Sequence, residues 1–212
     1  ERIPKPMVLI GGRPILWHIM KIYSHYGFNE FVICLGVKAD VIKNYFLNYK
    51  PINSDFTLDI SSGEIEYHNN HIKNSWKVTL VDTGMDTLKG GRIKRVEKYL
   101  EPDINMLTYG DGVSDINLKD LVEFHKSHGK TVTISGVHPP ARFGELIEKD
   151  GKVRVFQEKP QTSQGMINGG FMVFNRGMLD YLTEDENCDF EVGPLEDIAK
   201  AGEVMVYRHK GS

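Results

Sequence analysis

Asn105-Met106-Leu107-Thr108-Tyr109-Gly110-Asp111-Gly112 is the stretch whose reading decides the fold. It predicts a short buried strand running into a tight turn, with one carboxylate placed at the turn. In an open α/β sheet, a group leaving the carboxyl end of a strand lies where such sheets bind ligands. A hard divalent cation on phosphates takes an oxygen ligand of this kind, with water and phosphate completing its octahedron. The plainer alternative for Asp111 is a turn residue that hydrogen-bonds its own backbone.

Outward from that turn, the chain alternates strand and helix. Before it, Met7 to Ile10 is an apolar run, Gly11-Gly12 a turn, and Arg13-Pro14 the opening of a helix. Ile15, Leu16, Ile19, Met20, Ile22 and Tyr23 form that helix's apolar face, and Gly27 ends it. Phe31 to Leu35 is a strand apolar on both faces, as in a parallel sheet. Residues 39–49 read as a second helix with Val41, Ile42, Tyr45 and Phe46 on one side. Residues 56–60 and 65–68 suggest a hairpin, and the sheet resumes at Trp76 to Val81. After the turn, Leu118 to His128 is a helix, and Thr131 to Val137 a strand. Arg142 to Ile147 and Val153 to Gln157 flank Asp150-Gly151, a strong two-residue hairpin signal. Phe171 to Phe174 and Val204 to Tyr207 are the last strands. Strand-helix alternation at this spacing predicts one α/β domain, a size that 212 residues allow.

Composition narrows the function classes. A net charge of -3 argues against a nucleic-acid-binding surface. Two cysteines, Cys34 and Cys188, make neither a metal cluster nor a disulfide framework, which fits a reducing cytoplasm. No signal peptide or membrane-length apolar run is present, so no membrane partner is expected. His68 and His71 read as solvated. His125 and His128, three apart on a helix but without a carboxylate pattern, read as surface residues rather than metal ligands.

The chemistry gathers at the punctuation points. Lys5 stands between two prolines that stiffen its backbone. Lys89-Gly90-Gly91-Arg92 opens a helix. Paired glycines there allow an anion close to backbone N–H groups, with Arg92 adding a fork of donors; a flexible loop with a surface Arg is the alternative. Glu158-Lys159-Pro160 ends a strand, and Gly169-Gly170 implies close backbone approach to a ligand or another strand. Cations, one metal-type carboxylate and hydroxyl-binding groups suit a phosphorylated, hydroxyl-rich ligand with a divalent ion. Nucleophile-elbow, Walker A and dinucleotide fingerprints are absent.

The order of these motifs resembles the sugar-1-phosphate nucleotidyltransferases over nearly the whole chain. The matching marks are Lys5-Pro6, Gly11-Gly12-Arg13-Pro14 with His18, Tyr109-Gly110-Asp111, Phe143-Gly144, Glu158-Lys159-Pro160 and Asn168-Gly169-Gly170. Val78-Thr79-Leu80-Val81-Asp82-Thr83-Gly84 and Met166-Ile167-Asn168-Gly169-Gly170-Phe171 are most similar to its cytidylyl-transferring branch. The resemblance implies a Rossmann-like mixed, mainly parallel sheet flanked by helices, with a sugar-binding lobe. It implies attack of glucose 1-phosphate on the α-phosphate of CTP, with Mg²⁺ as cofactor. By motif match, Lys5 and Asp111 would be catalytic, and Asp111 the metal ligand. Thr87, Gly90, Arg92 and Gly110 would lie against the nucleotide, with Leu88-Lys89 departing from the family's usual residues. Gly144, Glu158, Lys159 and Asn168 would bind the sugar phosphate. A glycine-rich loop with a catalytic Arg and a second metal carboxylate, expected before Glu1 and after Ser212, are not in this sequence, so it reads as part of a domain. A homo-oligomer is implied; the aromatic-rich residues 45–76 read either as its contact surface or as core. The same chemistry with UTP, dTTP or another phosphorylated acceptor, or a non-catalytic regulatory module binding nucleotide sugars, are the alternatives.

Overall fold

The computed structural model describes residues 3–70, 72–110, 112–139, 145–157 and 165–209, with residues 70, 145, 147 and 155–157 described in backbone only. The chain divides into two compact units, Glu1–Leu100 with Leu182–Val192, and Glu101–Tyr181 with Gly193–Ser212.

In the first unit a 3-10 turn at Lys5–Met7 leads into a small hairpin of β1 (Leu9–Ile10) and β2 (Arg13–Pro14). Gly11 and Gly12 both sit at positive φ, 57° and 83°, which the tight hairpin turn requires and glycine supplies without strain. Helix α1 (Ile15–His25) buries Leu16, Ile19, Met20 and Tyr23, one face of a 3.6-residue repeat. Gly27, at φ 86°, follows its end. Strand β3 (Glu30–Leu35) comes next. The single helix expected over 39–49 is two, α2 (Ala39–Leu47) and α3 (Tyr49–Ile52), interrupted at Asn48. Ile42 is buried, with Tyr45 and Phe46 packed on the same core, whereas Val41 stays 37% exposed at the edge of that face. Strands β4 (Ser54–Leu58) and β5 (Ile65–Asn70) form the expected hairpin, in which His68 meets the Thr57 hydroxyl at 2.9 Å. His71 lies outside the described residues. Strand β6 (Lys77–Asp82) pairs in parallel with β3 from Glu30↔Lys77 to Leu35↔Asp82. Helix α4 (Lys89–Arg95) follows. Met7, Leu16, Met20, Leu35 and Ile42 form this unit's core cluster.

The second unit contains β7 (Ile104–Thr108), α5 (Leu118–His128), β8 (Val132–Val137), β9 (Glu145–Lys149), β10 (Lys152–Gln157), β11 (Ile167–Asn175), α6 (Pro194–Lys200) and β12 (Val204–Arg208). Four strands lie in the order β12-β8-β11-β7. β12 and β8 are parallel, while β11 runs antiparallel to both neighbours. Phe171 to Phe174 are each at most 3% exposed, four in succession, because β11 is interior and covered on both faces. Between β9 and β10, Asp150 and Gly151 take φ of 54° and 79°, the two-residue turn the sequence predicts. Asn117 caps α5 by accepting from the Asp120 N–H, and Gly129 terminates it.

The mixed α/β architecture is the one expected. The surface placement expected for His125 is not found: it is 2% exposed. The Lys130 N–H donates to His128 Nδ1 (2.8 Å), which leaves the Nε2 side of a neutral ring to donate to Thr133 Oγ1 (2.6 Å). The Thr133 hydroxyl then donates to His125 Nδ1 (2.7 Å), and His125 Nε2 to Asn175 Oδ1 (2.8 Å). This order gives each ring nitrogen and the Thr133 hydroxyl a partner within the chain. Among the described residues no helix is long and apolar enough to cross a membrane.

Candidate functional site

The direction of the second sheet collects chemistry at one edge. β7, β8 and β12 share a direction, so their carboxyl ends lie together with the start of the opposed β11. Asn168 pairs with Gly136 of β8, and the Tyr109 N–H donates to the Gly170 carbonyl at 3.3 Å. Asn168 therefore stands beside Tyr109 and Gly110, its amide donating to the Tyr109 hydroxyl (3.3 Å) and its Oδ1 accepting from the Gly170 N–H (2.9 Å). A register shift between Asn168 and Met172 opens β11 here. A Cβ on Gly169 would stand 2.8 Å from Ser135 Oγ, so the glycine pair answers close approach to another strand. His209, at the end of β12, meets Asp115 Oδ1 at 2.7 Å and ties down the loop that follows Asp111. That bond holds the Asp115 carboxyl below the usual carboxylate range. Neither Tyr109 nor His209 was expected as a site-shaping residue.

In the first unit the carboxyl ends of β3 and β6 carry Leu35-Gly36 and Asp82-Thr83-Gly84. Arg92 lies across them, Nη1 donating to the Leu35 carbonyl (3.0 Å) and to Thr83 Oγ1 (2.8 Å), and Nη2 to the Met85 carbonyl (3.4 Å). Gly36 makes room: a Cβ there would sit 2.6 Å from Arg92 Nη2. Arg95, which the sequence did not single out, donates to Thr83 O, Thr87 Oγ1 and Glu184 O. Thr87 is buried as that acceptor. Burial pushes the Cys34 thiol up to about 11, with Arg92 pulling it down.

The anion-sized gap expected at Gly90-Gly91 is filled by the chain itself. A Cβ on Gly90 would stand 2.3 Å from the Asp189 carbonyl, and one on Gly91 2.5 Å from that of Asp185. The Gly91 N–H already donates to the Cys188 carbonyl (3.0 Å), and the Leu88 N–H to that of Glu186 (2.8 Å). The expected flexible-loop alternative is not found either, since the glycines lie inside α4 and are buried.

Lys5 sits exposed on its 3-10 turn, fixed by the bond from the Met7 N–H to the Pro4 carbonyl (2.9 Å). His18 Nε2 meets the Ile10 carbonyl at 2.7 Å and pins the hairpin to α1. Asp111, Gly144, Glu158 and Lys159 lie outside the described residues. Among the described residues no group of three or more His, Cys, Asp or Glu side chains could hold a metal ion.

Comparison with known proteins adds the chemistry. The sequence model of the nucleotidyl transferase family matches residues 1–208. The chain is 48% identical over 209 residues to glucose-1-phosphate cytidylyltransferase from Salmonella typhimurium, spanning 98% of this chain and 80% of that protein. It is 46% identical over 209 residues to a probable glucose-1-phosphate cytidylyltransferase from Bacillus subtilis, spanning 99% of this chain and 81% of the relative. Among solved structures, HddC from Yersinia pseudotuberculosis superposes with a TM-score of 0.70 at 26% identity, covering 99% of this chain and 83% of the other.

Proposed function

This chain belongs to the nucleotidyl transferase family, and from that premise we propose that it transfers a cytidylyl group from CTP to glucose 1-phosphate, giving CDP-glucose and pyrophosphate. The carrying observation is nearly one-half identity along 98–99% of the chain with proteins of that activity. A match of this extent takes in the nucleotide-side and sugar-side segments together with the scaffold.

The nucleophile of this reaction, a sugar phosphate oxygen, is already ionised, so positioning and charge neutralisation carry the step and no base is needed. Lys5, on its proline-stiffened turn, neutralises phosphate charge at the reacting centre. Proteins of this family typically use a divalent metal. Asp111 has the hard oxygen donor that Mg²⁺ takes, and a bound ion would offset the negative charge on the reacting phosphates. Gly110, without a side chain, lets backbone approach the nucleotide. Thr87, Gly90 and Arg92 build the nucleotide-side wall at the ends of β3 and β6, because their polar groups and packing are engaged within the chain. Glu158 accepts from sugar hydroxyls, Lys159 pairs with the sugar phosphate, and Asn168 with the Gly144 backbone reads further hydroxyls. The chain acts as one nucleotidyltransferase domain of a cytoplasmic homo-oligomer.

The test follows pyrophosphate release by the full-length protein with Mg²⁺, glucose 1-phosphate and each of CTP, UTP, dTTP, ATP and GTP. A strong preference for CTP is expected. Preference for another nucleotide overturns the substrate while keeping the reaction class. Silence with all five points to a different phosphorylated acceptor or to a nucleotide-sugar-binding module.

A further inference from the structure

A second basic site lies in the first unit, away from the strand ends that carry Arg92. A cavity of about 150 Å³ is lined by Arg13, Lys21 and Lys73 together with Trp17, Tyr49 and Asn74. Among the described residues no carboxylate lines it, and no ion pair engages these three cations. Arg13 and Lys21 both lie against the Trp17 ring, at 5.2 and 5.7 Å from its centroid. Trp17 and Lys21 are one turn apart on α1, and Arg13 reaches the same ring from β2.

The neutral side chains around them are turned one way. Asn53 Oδ1 accepts from Arg13 (2.6 Å), and Asn74 Oδ1 accepts from Lys21 (3.1 Å). The Tyr49 hydroxyl accepts from Trp17 Nε1 (3.0 Å) and from Asn74 Nδ2 (2.9 Å), which occupies both lone pairs and leaves its O–H to donate. Each of these three oxygens thus already accepts from a neighbour within the chain. What remains to meet a ligand is the rest of the Arg13 fork, the ammonium protons of Lys21 and Lys73, and one phenol proton. Gathering three like charges into a concavity is unfavourable unless something of opposite charge sits there.

We infer that this cavity binds a phosphate-class oxyanion through Arg13, Lys21, Lys73 and the Tyr49 hydroxyl. Volume decides the size of the ligand: pockets for drug-sized molecules run from roughly 300 Å³ upward. A phosphate or diphosphate group fits the smaller space, and a whole nucleotide does not. The site is separate from the Arg92 group, because Lys73 and Asn74 precede β6 whereas Thr83 follows it. Six strand residues at about 3.3 Å each put roughly 20 Å between the two ends. The inference does not rest on the proposed reaction.

The test uses the full-length protein carrying Asp111→Asn, with metal removed by chelator, so that binding at the proposed catalytic centre is suppressed. Inorganic phosphate, pyrophosphate and CTP are each titrated, followed by calorimetry and by tryptophan fluorescence. Trp17 lines this cavity and Trp76 stands 6.3 Å from the Trp17 ring, so their emission reports on the cavity. A saturable response to pyrophosphate is expected, weakening with ionic strength. Adding Lys21→Gln with Lys73→Gln should raise half-saturation by about tenfold or more, since charge-assisted hydrogen bonds are removed. Lys73→Glu alone, at an exposed position that leaves the melting temperature unchanged, should abolish the response. Tighter response to CTP than to pyrophosphate would identify the anion as a nucleotide's phosphate tail; the reverse order would identify the free anion. Half-saturation unchanged in the Lys variants, or no saturable heat or emission change with any of the three, overturns the inference.

Discussion

Gly90→Ala separates the two physical roles open to a glycine pair at a helix start. The added Cβ would stand 2.3 Å from the Asp189 carbonyl oxygen and 2.8 Å from Cys188 Sγ. A backbone carbonyl cannot rotate away as a side chain can, so the 185–189 segment must shift. Overpacking of this kind costs about 1–3 kcal/mol. The shift also strains the bonds from Gly91 N–H to Cys188 O and from Leu88 N–H to Glu186 O, each contributing about 0.5–1.5 kcal/mol. Against these stands a gain of about 1 kcal/mol from replacing glycine inside a helix. Taking the upper part of each range because the obstacle is backbone, the balance is a loss of about 3–5 kcal/mol. In a chain of this length that lowers the melting temperature by about 6–20 °C. Thermal unfolding followed by circular dichroism measures it. If the glycines faced an open anion site, Ala would be tolerated or mildly stabilising. A melting temperature equal to or above the parent's would refute the packing argument.

Three further outcomes are expected. Asp111→Asn should lower pyrophosphate release by about 10²–10³, the scale of losing a positioned electrostatic group, with an unchanged melting temperature; full activity would remove Asp111 from the site. Thr133→Val keeps the shape but breaks the chain of hydrogen bonds through His125 and His128, and should cost about 1–3 kcal/mol in urea unfolding; a loss near zero would mean the network is not closed. Burial, with His125 and Lys130 nearby, holds His128 below its usual 6.5. The folded protein then binds fewer protons than the unfolded chain, so this stability is full above pH 6.5 and is lost as pH falls below it. Unfolding free energies measured on either side of that value should show a smaller fall for His128→Asn than for the parent, and equal falls would discount His128 as the source.

The parts of the fold legible in the sequence are those whose cause is local. Gly11-Gly12 and Asp150-Gly151 specify turns by their own backbone freedom, and α5 carries its cap, apolar stripe and terminating glycine within twelve residues or so. The strand at Ile104–Thr108 could be placed because its apolar run stops before Gly110. What escaped notice depends on distant partners. Gly90-Gly91 looks alike whether an anion or the chain fills the gap, and the filling residues lie almost a hundred positions later. The acceptors of Arg92 begin at Leu35, and His209 finds Asp115 at a separation of 94. His125 read as a surface residue because nothing nearby in sequence announces Thr133 and Asn175 as its partners. The break at Asn48 does have a local cause: Pro51, in the first turn of α3, has no N–H to carry the α2 ladder onto the Leu47 carbonyl.

The two-part make-up of the first unit sets an order of events during synthesis. Leu182–Val192 belongs with Glu1–Leu100, yet about 80 residues of the second unit are translated in between. At roughly 5–20 residues per second, the ribosome delivers the covering segment about 4–16 seconds after Leu100. Until then α4, seven residues with two adjacent glycines, lacks the carbonyls that its N-terminal turn leans on, and a helix that short does not hold on its own propensity. The first unit therefore closes late, and the nascent chain carries an uncovered α4 while the sheet of the second unit is being made.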